Sequence, residues 1–212
     1  MIETNPNPEK IPVSNNDVNQ QMAQQLLGIK IGPEQYILYE GVINQESTLK
    51  LGNAIRVAIN NNSSKLNILL SSLGGSIYDG FVLATLIQNA RIPIAIHATN
   101  HIDSIANVIF LSAKYRTAES HAKFFLHGAS ISDNNLDEKK LLEQLSSIRN
   151  HNTRIAYFIS ENCSLPLKKV KSIMKAGTTI SAQEALKCGI VQEIKHLAIP
   201  LFANREDIVY IN

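Results

Sequence analysis

Residues 66–76 read LNILLSSLGGS, an apolar run that ends at a pair of glycines. The run over 66–70 is typical of a buried strand, because it is short, apolar and followed by turn-forming residues. Gly74 and Gly75 then allow a sharp turn and a close approach of the backbone to another group. The pair predicts either a plain tight turn or a turn whose N–H groups stabilise an oxyanion. It is not a phosphate-binding loop, since neither G-x-G-x-x-G nor a following Lys-Ser/Thr is present.

Strand and helix patterns alternate on both sides of this stretch. Further strands are predicted at 36–39, 92–97 and 123–127, and helices at 46–59, 77–90 and 104–114. A β-α-β-α order predicts an α/β fold of parallel strands joined by right-handed crossovers. The chain then continues with helices at about 135–159 and 166–175, a helical turn at 181–186 and a closing strand near 190–194.

The helix predicted at about 135–159 is long for a domain of this size. Its apolar residues at helical spacing are Leu141, Leu142, Leu145, Ile148, Ile155 and Phe158. Asn135, with Glu138 three residues later, predicts the N-terminal cap. A helix of this length projects from a small domain, so we expect it to pack against another subunit.

The composition is that of one folded domain preceded by a polar arm. The 212 residues are 44% hydrophobic and 18% charged, which is enough apolar material for a core without disulfides or a structural metal. Residues 1–27 are rich in Asn, Gln and Pro and predict a flexible N-terminal arm. Residues 28–212 are the predicted domain.

Charge and composition argue against several classes of function. A net charge of +2, no Trp and 6% aromatic residues disfavour a nucleic-acid binder. No apolar run reaches the ~18 residues of a membrane span, and the polar start lacks the apolar segment of a signal peptide. We therefore expect a soluble cytoplasmic protein without membrane partners. Cys163 and Cys188 form no C-x-x-C pair.

Two side chains lie where strands meet helices or end. Ser104 follows a strand and precedes an apolar helix, which predicts either a helix cap or a nucleophile near the positive end of the helix dipole. His127 closes an apolar strand, and the carboxyl ends of strands are where α/β sheets usually carry active sites. A purely structural histidine is the alternative.

The order of these motifs resembles the proteolytic subunit of the Clp protease, ClpP, in its divergent or phage-type branch. The resemblance rests on Leu73-Gly74-Gly75-Ser76, Ile102-Asp103-Ser104-Ile105, Phe125-Leu126-His127 and SAQEALKCGIV at 181–191. It covers about residues 36–195. It implies a crotonase-like α/β fold, a spiral of repeated β-β-α units, with the helix at 135–159 as a projecting handle helix.

The resemblance also implies a function. Ser104 corresponds to the nucleophile of a serine endopeptidase and His127 to its general base, with the backbone N–H groups of Gly75 and Ile105 as the oxyanion hole. Substrates would be unfolded proteins or peptides, cleaved inside a homo-oligomeric heptamer or tetradecamer fed by an AAA+ unfoldase. No metal or organic cofactor is implied.

The chain departs from the family at three places. Gly177 stands where the family has the aspartate that orients the histidine, so Thr178, Thr179, a backbone carbonyl or a water would have to substitute. Asp103 stands where a small residue is usual. Because neighbouring side chains on an extended loop diverge, it is not expected to replace the missing carboxylate, and its charge disfavours an oxyanion. Residues 1–35 contain no counterpart of the family's unfoldase-docking segment.

These departures leave three functions open. The first is an active ClpP-like serine peptidase, with activity reduced by the missing aspartate. The second is a weak or inactive homologue that serves as a structural or regulatory ring subunit. The third is a crotonase-fold enzyme acting on acyl-CoA.

Overall fold

A computed structural model describes residues 32–131, 137–198 and 208–211, so the N-terminal arm predicted at 1–27 lies outside the described residues. The strands are β1 Gln35–Glu40, β2 Leu66–Ser72, β3 Ile94–Asp103, β4 Tyr115–Ala118, β5 Lys123–Leu126, β6 Thr178–Ser181, β7 Glu193–Ile194 and β8 Ile208–Ile211. The helices are α1 Gln45–Asn60, α2 Ile77–Gln88, α3 Ala106–Ser112, α4 Glu138–Glu161, α5 Leu167–Ala176 and α6 Ala182–Lys187.

The described strands form one 8-stranded sheet, ordered β6-β5-β3-β2-β1-β8, with β4 beside β3 and β7 beside β4. All pairs are parallel except β5 with β6. The first half of β3 pairs with β4 and its last three residues pair with β5. The sheet therefore divides along β3, and the end of β3 lies beside the strand that leads to His127.

The predicted α/β alternation is confirmed, with three differences around β3 and β5. β3 continues to Asp103, beyond the predicted end at 97, and the following helix is correspondingly shorter, α3 instead of 104–114. β4 and β6, of four residues each, were not predicted. Both are too short and too mixed in polarity for a period-2 pattern, and their pairing is a tertiary contact.

The core lies on both faces of the central strands. β2 buries Leu66, Ile68 and Leu70 completely, as its apolar run predicted. Every residue of α3 is buried, which explains why that segment is apolar on nearly all faces. Since α3 begins just after Ser104, the serine lies at the edge of the most deeply buried helix.

The long helix α4 has 24 residues, close to the predicted 135–159. Its cap differs from the prediction: Asp137, directly before the helix, accepts a hydrogen bond from the Lys140 N–H at 2.8 Å. Asp is as good a cap as Asn, and Asn135 lies outside the described residues.

The two halves of α4 have different surroundings. Three residues of the second half are buried, namely Ile155, Ala156 and Ile159. Three leucines of the first half are 42–63% exposed, namely Leu141, Leu142 and Leu145. The first half of α4 therefore projects from the described domain with an apolar stripe uncovered. No helix in the described ranges is long and apolar enough to cross a membrane.

Candidate active site

Ser104 occupies the tight turn between β3 and α3. Its φ is +56°, a left-handed conformation that is uncommon for residues other than glycine. Its N–H donates to the Phe125 carbonyl on β5 at 2.9 Å. The cap of α3 is Ile105, which makes no side-chain cap bond, so the prediction of Ser104 as a helix cap is wrong. The turn instead fixes the serine next to Phe125 of β5, which lies two residues before His127.

Asn107 holds this turn together, and the sequence reasoning missed it. The side chain is 1% exposed. Its Nδ2 lies 2.9 Å, 3.1 Å and 3.0 Å from the carbonyl oxygens of Ile102, Ser104 and Phe125. One amide therefore links the end of β3, the serine turn and β5. The signal in the sequence was a single amide side chain with apolar residues on both sides of it.

The glycine pair after β2 lies directly against the serine. A Cβ on Gly74, whose φ is +97°, would lie 2.6 Å from the Ser104 Cβ. A Cβ on Gly75, whose φ is +149°, would lie 2.1 Å from the Ile43 carbonyl oxygen. Both positions exclude a side chain, so the glycines allow the close backbone approach to the serine turn and to Ile43. Within the described ranges, the backbone N–H groups of Gly75 and Ile105 have no hydrogen-bond partner.

His127 follows β5 and its ring stacks on Phe125, with centroids 4.8 Å apart and an angle of 23° between the rings. Its Nδ1 lies 2.7 Å from the Gly128 carbonyl oxygen. Because a carbonyl only accepts, Nδ1 carries the proton and Nε2 presents its lone pair. The Ala129 N–H donates to Asn152 Oδ1 on α4 at 2.7 Å and so anchors this segment. A backbone carbonyl therefore holds the Nδ1 side of this ring.

Gly177 ends α5 with φ +64°. The antiparallel register ends at the pair Thr178–Leu126, and Gly177 and His127 are the residues next to that pair on each strand. A Cβ on Gly177 would meet only the Phe125 ring, at 3.8 Å, which is an ordinary contact. The position therefore has room for a side chain beside the histidine, although glycine supplies none. Thr178 bonds the Ile173 carbonyl and is engaged away from the site.

Asp103 is the last residue of β3, not part of an extended loop as the sequence suggested. Its side chain is 15% exposed, and Oδ2 lies 3.6 Å from His101 Nδ1. Oδ1 is buried and has no partner among the described residues. Burial raises the pKa of the Asp103 carboxyl, while His101, the Phe125 N–H and His127 act in the opposite direction.

Three further points concern the pairing of Ser104 with His127, metal binding and the two cysteines. In the described ranges, no hydrogen bond joins Ser104 to His127 directly; the two are brought together through β5. No group of three or more His, Cys, Asp or Glu in those ranges could hold a metal ion. Cys163 and Cys188 are free and half-buried, and burial raises the pKa of both thiols.

A solved structure shares this fold. A ClpP1 mutant from Listeria monocytogenes matches the chain with a TM-score of 0.70 and 18% sequence identity, over 90% of this chain and 98% of that chain. At this identity the similarity shows the fold, which confirms the predicted ClpP-like α/β architecture. No curated protein sequence matches the chain.

The family follows from the sequence itself. The Clp protease family profile matches residues 17–197, which is most of the chain. The chain therefore belongs to the Clp protease family, a family of serine peptidases whose members assemble into rings. This membership favours a peptidase over the acyl-CoA enzyme that the sequence left open.

Proposed function

We propose that this chain is an active serine endopeptidase in which Ser104 is the nucleophile and His127 the general base. The observation that carries the proposal is the left-handed turn at Ser104, tied by its N–H to the strand that presents His127. A serine in a conformation of this kind is exposed on a sharp turn instead of continuing a helix. Strained residues of this kind cluster at active sites.

The proposed reaction needs His127 in one tautomer. With Nδ1–H held by the Gly128 carbonyl, Nε2 is free to take the Ser104 proton as Oγ attacks the peptide carbonyl carbon. His127 then returns that proton to the leaving amine, and water hydrolyses the acyl-enzyme by the reverse proton path. A carbonyl orients the imidazole but, having no charge, stabilises the imidazolium less than a carboxylate does.

The oxyanion is assigned to two backbone groups. The N–H groups of Gly75 and Ile105 flank the serine turn and have no partner in the described part of the chain. Losing one donor of this kind typically lowers turnover ~100–1,000-fold. Because both contribute through the main chain, isoleucine at 105 is compatible with the role.

Substrates and assembly are proposed from the family. We infer cleavage of unfolded proteins or peptides inside a heptamer or tetradecamer, in the cytoplasm, with an AAA+ unfoldase as partner. The uncovered leucines in the first half of α4 supply apolar surface for contacts between subunits. Size-exclusion chromatography with light scattering should show the ring, and a protein that is only monomeric would contradict the assembly.

A second candidate is a weak or inactive subunit within the same rings. The observation in its favour is Gly177, which leaves no carboxylate beside His127. Loss of the orienting aspartate from a serine triad lowers turnover about 10⁴-fold.

A fluorophosphonate probe separates the two candidates. Native protein should be labelled at Ser104, identified by mass spectrometry, and Ser104→Ala and His127→Ala should each abolish labelling. Ser130 is an exposed serine three residues after His127, and the control variant Ser130→Ala should be labelled like the native chain. A folded, assembled protein that is not labelled would establish the inactive subunit instead.

A further inference from the structure

The proposed mechanism leaves one partly buried carboxylate next to the nucleophile without a role. Asp103 is 15% exposed, yet its Oδ1 makes no hydrogen bond within the described ranges. A buried charged oxygen without a partner lowers stability, so its presence calls for an explanation. His101 lies against the other oxygen, Oδ2, with its Nδ1 3.6 Å away, which is longer than a hydrogen bond.

Sheet register places Asp103 on the same face as the histidine. Asp103 pairs with Phe125, and paired residues of adjacent strands point to one side of a sheet. His127 lies on that side too, because its ring stacks on Phe125. A side chain at 177 would approach the same Phe125 ring from β6. Asp103 and position 177 therefore flank the Phe125–His127 stack from opposite neighbouring strands.

Few other charges share this face. His101 lies on β3, and its register partner Lys123 and His127 lie on or next to β5. The segment α3 and the glycine pair carry no titratable side chain. Since Asp103 pairs with Phe125, two residues before His127, the two side chains are diagonal neighbours on adjacent strands. Glu184 accepts a hydrogen bond from Ser181, the register partner of Lys123, and so belongs to the end of this face away from His127. Asp103 is the carboxylate whose register partner is Phe125, the residue on which His127 stacks.

We propose that Asp103 is a positioning residue for the reaction, supplying from β3 the negative charge that Gly177 does not supply from β6. This inference rests on the proposed peptidase function. Asp103 makes no bond to the substrate or to His127; it stabilises the imidazolium through space while the Gly128 carbonyl fixes the ring. The negative charge of Asp103 stabilises the imidazolium and disfavours the oxyanion. The first effect is the larger in this proposal, because the backbone N–H groups of the oxyanion hole stabilise the oxyanion directly.

The test compares native full-length protein with Asp103→Asn, Asp103→Glu, Gly177→Asp and the double variant Asp103→Asn/Gly177→Asp. The rate of fluorophosphonate labelling should fall about tenfold at pH 8 in Asp103→Asn, as expected for loss of one nearby charge. The deficit should narrow at acidic pH, where native Asp103 is protonated. Gly177→Asp should restore the rate in the Asp103→Asn background, and Asp103→Glu should retain part of it.

Stability moves in the opposite direction to activity. Because burial raises the folded-state pKa of Asp103, its ionisation destabilises the fold above the ordinary aspartate range. Asp103→Asn should therefore be at least as stable as the native protein at pH 7, and that gain should vanish as the pH falls below the ordinary aspartate range. Asp79→Asn, a carboxylate in the first turn of α2, is the control and should be labelled at the native rate.

A second readout does not depend on activity. With histidines labelled at carbon-13 Cε1, NMR should show a larger protonated fraction of His127 in the native protein than in Asp103→Asn at the same pH. If native protein is never labelled by the probe, the peptidase proposal fails, and this difference alone decides the role of Asp103. Equal protonation of His127 in the two proteins, or an undiminished labelling rate in a reactive protein, would overturn the inference.

Discussion

Two histidines of this fold have contrasting environments. His97, in the middle of β3, is 3% exposed, with Nδ1 2.7 Å from Thr117 Oγ1 and Nε2 3.2 Å from Glu119 Oε1. Burial lowers the pKa of His97, which the Glu119 carboxylate opposes. His127 is half-buried, and only its Nδ1 has a hydrogen bond in the described ranges. Both rings lie on the same sheet, yet only one has a nitrogen available for a proton.

The contrast separates a structural histidine from the proposed base. Both nitrogens of His97 are engaged, and the same Glu119 oxygen also lies 3.1 Å from His196 Nδ1, so the cluster holds the segment after β7 against the sheet. His127 has its orienting bond on one side and a free lone pair on the other, which is the arrangement that a general base needs. A histidine near a carboxylate is therefore not by itself a site; the unbonded nitrogen is the distinguishing feature.

Exchanging each histidine for glutamine should separate the two roles most strongly. His127→Gln should lower peptide turnover ~10⁴-fold or more, because it removes the proposed general base. His97→Gln should keep its turnover and lose about 1–3 kcal/mol of unfolding free energy, because buried partners lose their bonds. Turnover of a fluorogenic peptide and urea unfolding measure the two effects. Loss of turnover in a folded His97→Gln would remove the distinction.

The glycine next to the serine should give the next largest effect. Gly75→Ala places a Cβ 2.1 Å from the Ile43 carbonyl oxygen, so the turn must shift and its N–H moves from the proposed oxyanion position. Turnover should fall ~100–1,000-fold. Gly52→Ala in α1, where the new Cβ makes an ordinary 3.5 Å contact with Leu86, is the matched control. It should keep its turnover and gain up to about 1 kcal/mol in stability. Equal turnover in both variants would exclude Gly75 from the reaction.

A smaller effect is expected from the anchor of the histidine segment. Asn152→Ala removes the acceptor of the Ala129 N–H, which leaves the Gly128 carbonyl less firmly placed against His127. Turnover should fall about tenfold, in line with loss of a supporting hydrogen bond. Asn150→Ala, on an exposed position of the same helix, should leave turnover unchanged. If both variants behave alike, α4 does not support the histidine.

The elements that the sequence predicted are those whose own pattern of apolar residues shows which side is buried. β2 is an apolar run and α1 has apolar residues at helical spacing, so each pattern reports the face that it buries. β6 was missed because TTIS has no such pattern; it is a strand only because β5 lies beside it. The cap of α4 is Asp137 and not the predicted Asn135, because the exact first residue of a helix is harder to predict than the helix itself.

The site was predictable where side chains carry it and not where the backbone does. Ser104 and His127 were identified from motif order, and the structure brings both to β5, although their roles stay predictions. The Gly128 carbonyl leaves no signature in a sequence, since every residue has one. Asp103 was placed on a loop because β3 was predicted to end too early; on a strand the direction of its side chain is fixed by register.

The left-handed turn at Ser104 has a consequence for stability. A residue other than glycine pays roughly 1–2 kcal/mol for this conformation, and the serine makes no cap bond to α3 in return. If the chain served only as a structural subunit, glycine at 104 would relax this turn. A strained serine therefore has a stability cost that a use for its hydroxyl would offset, which is what the proposed role as nucleophile requires.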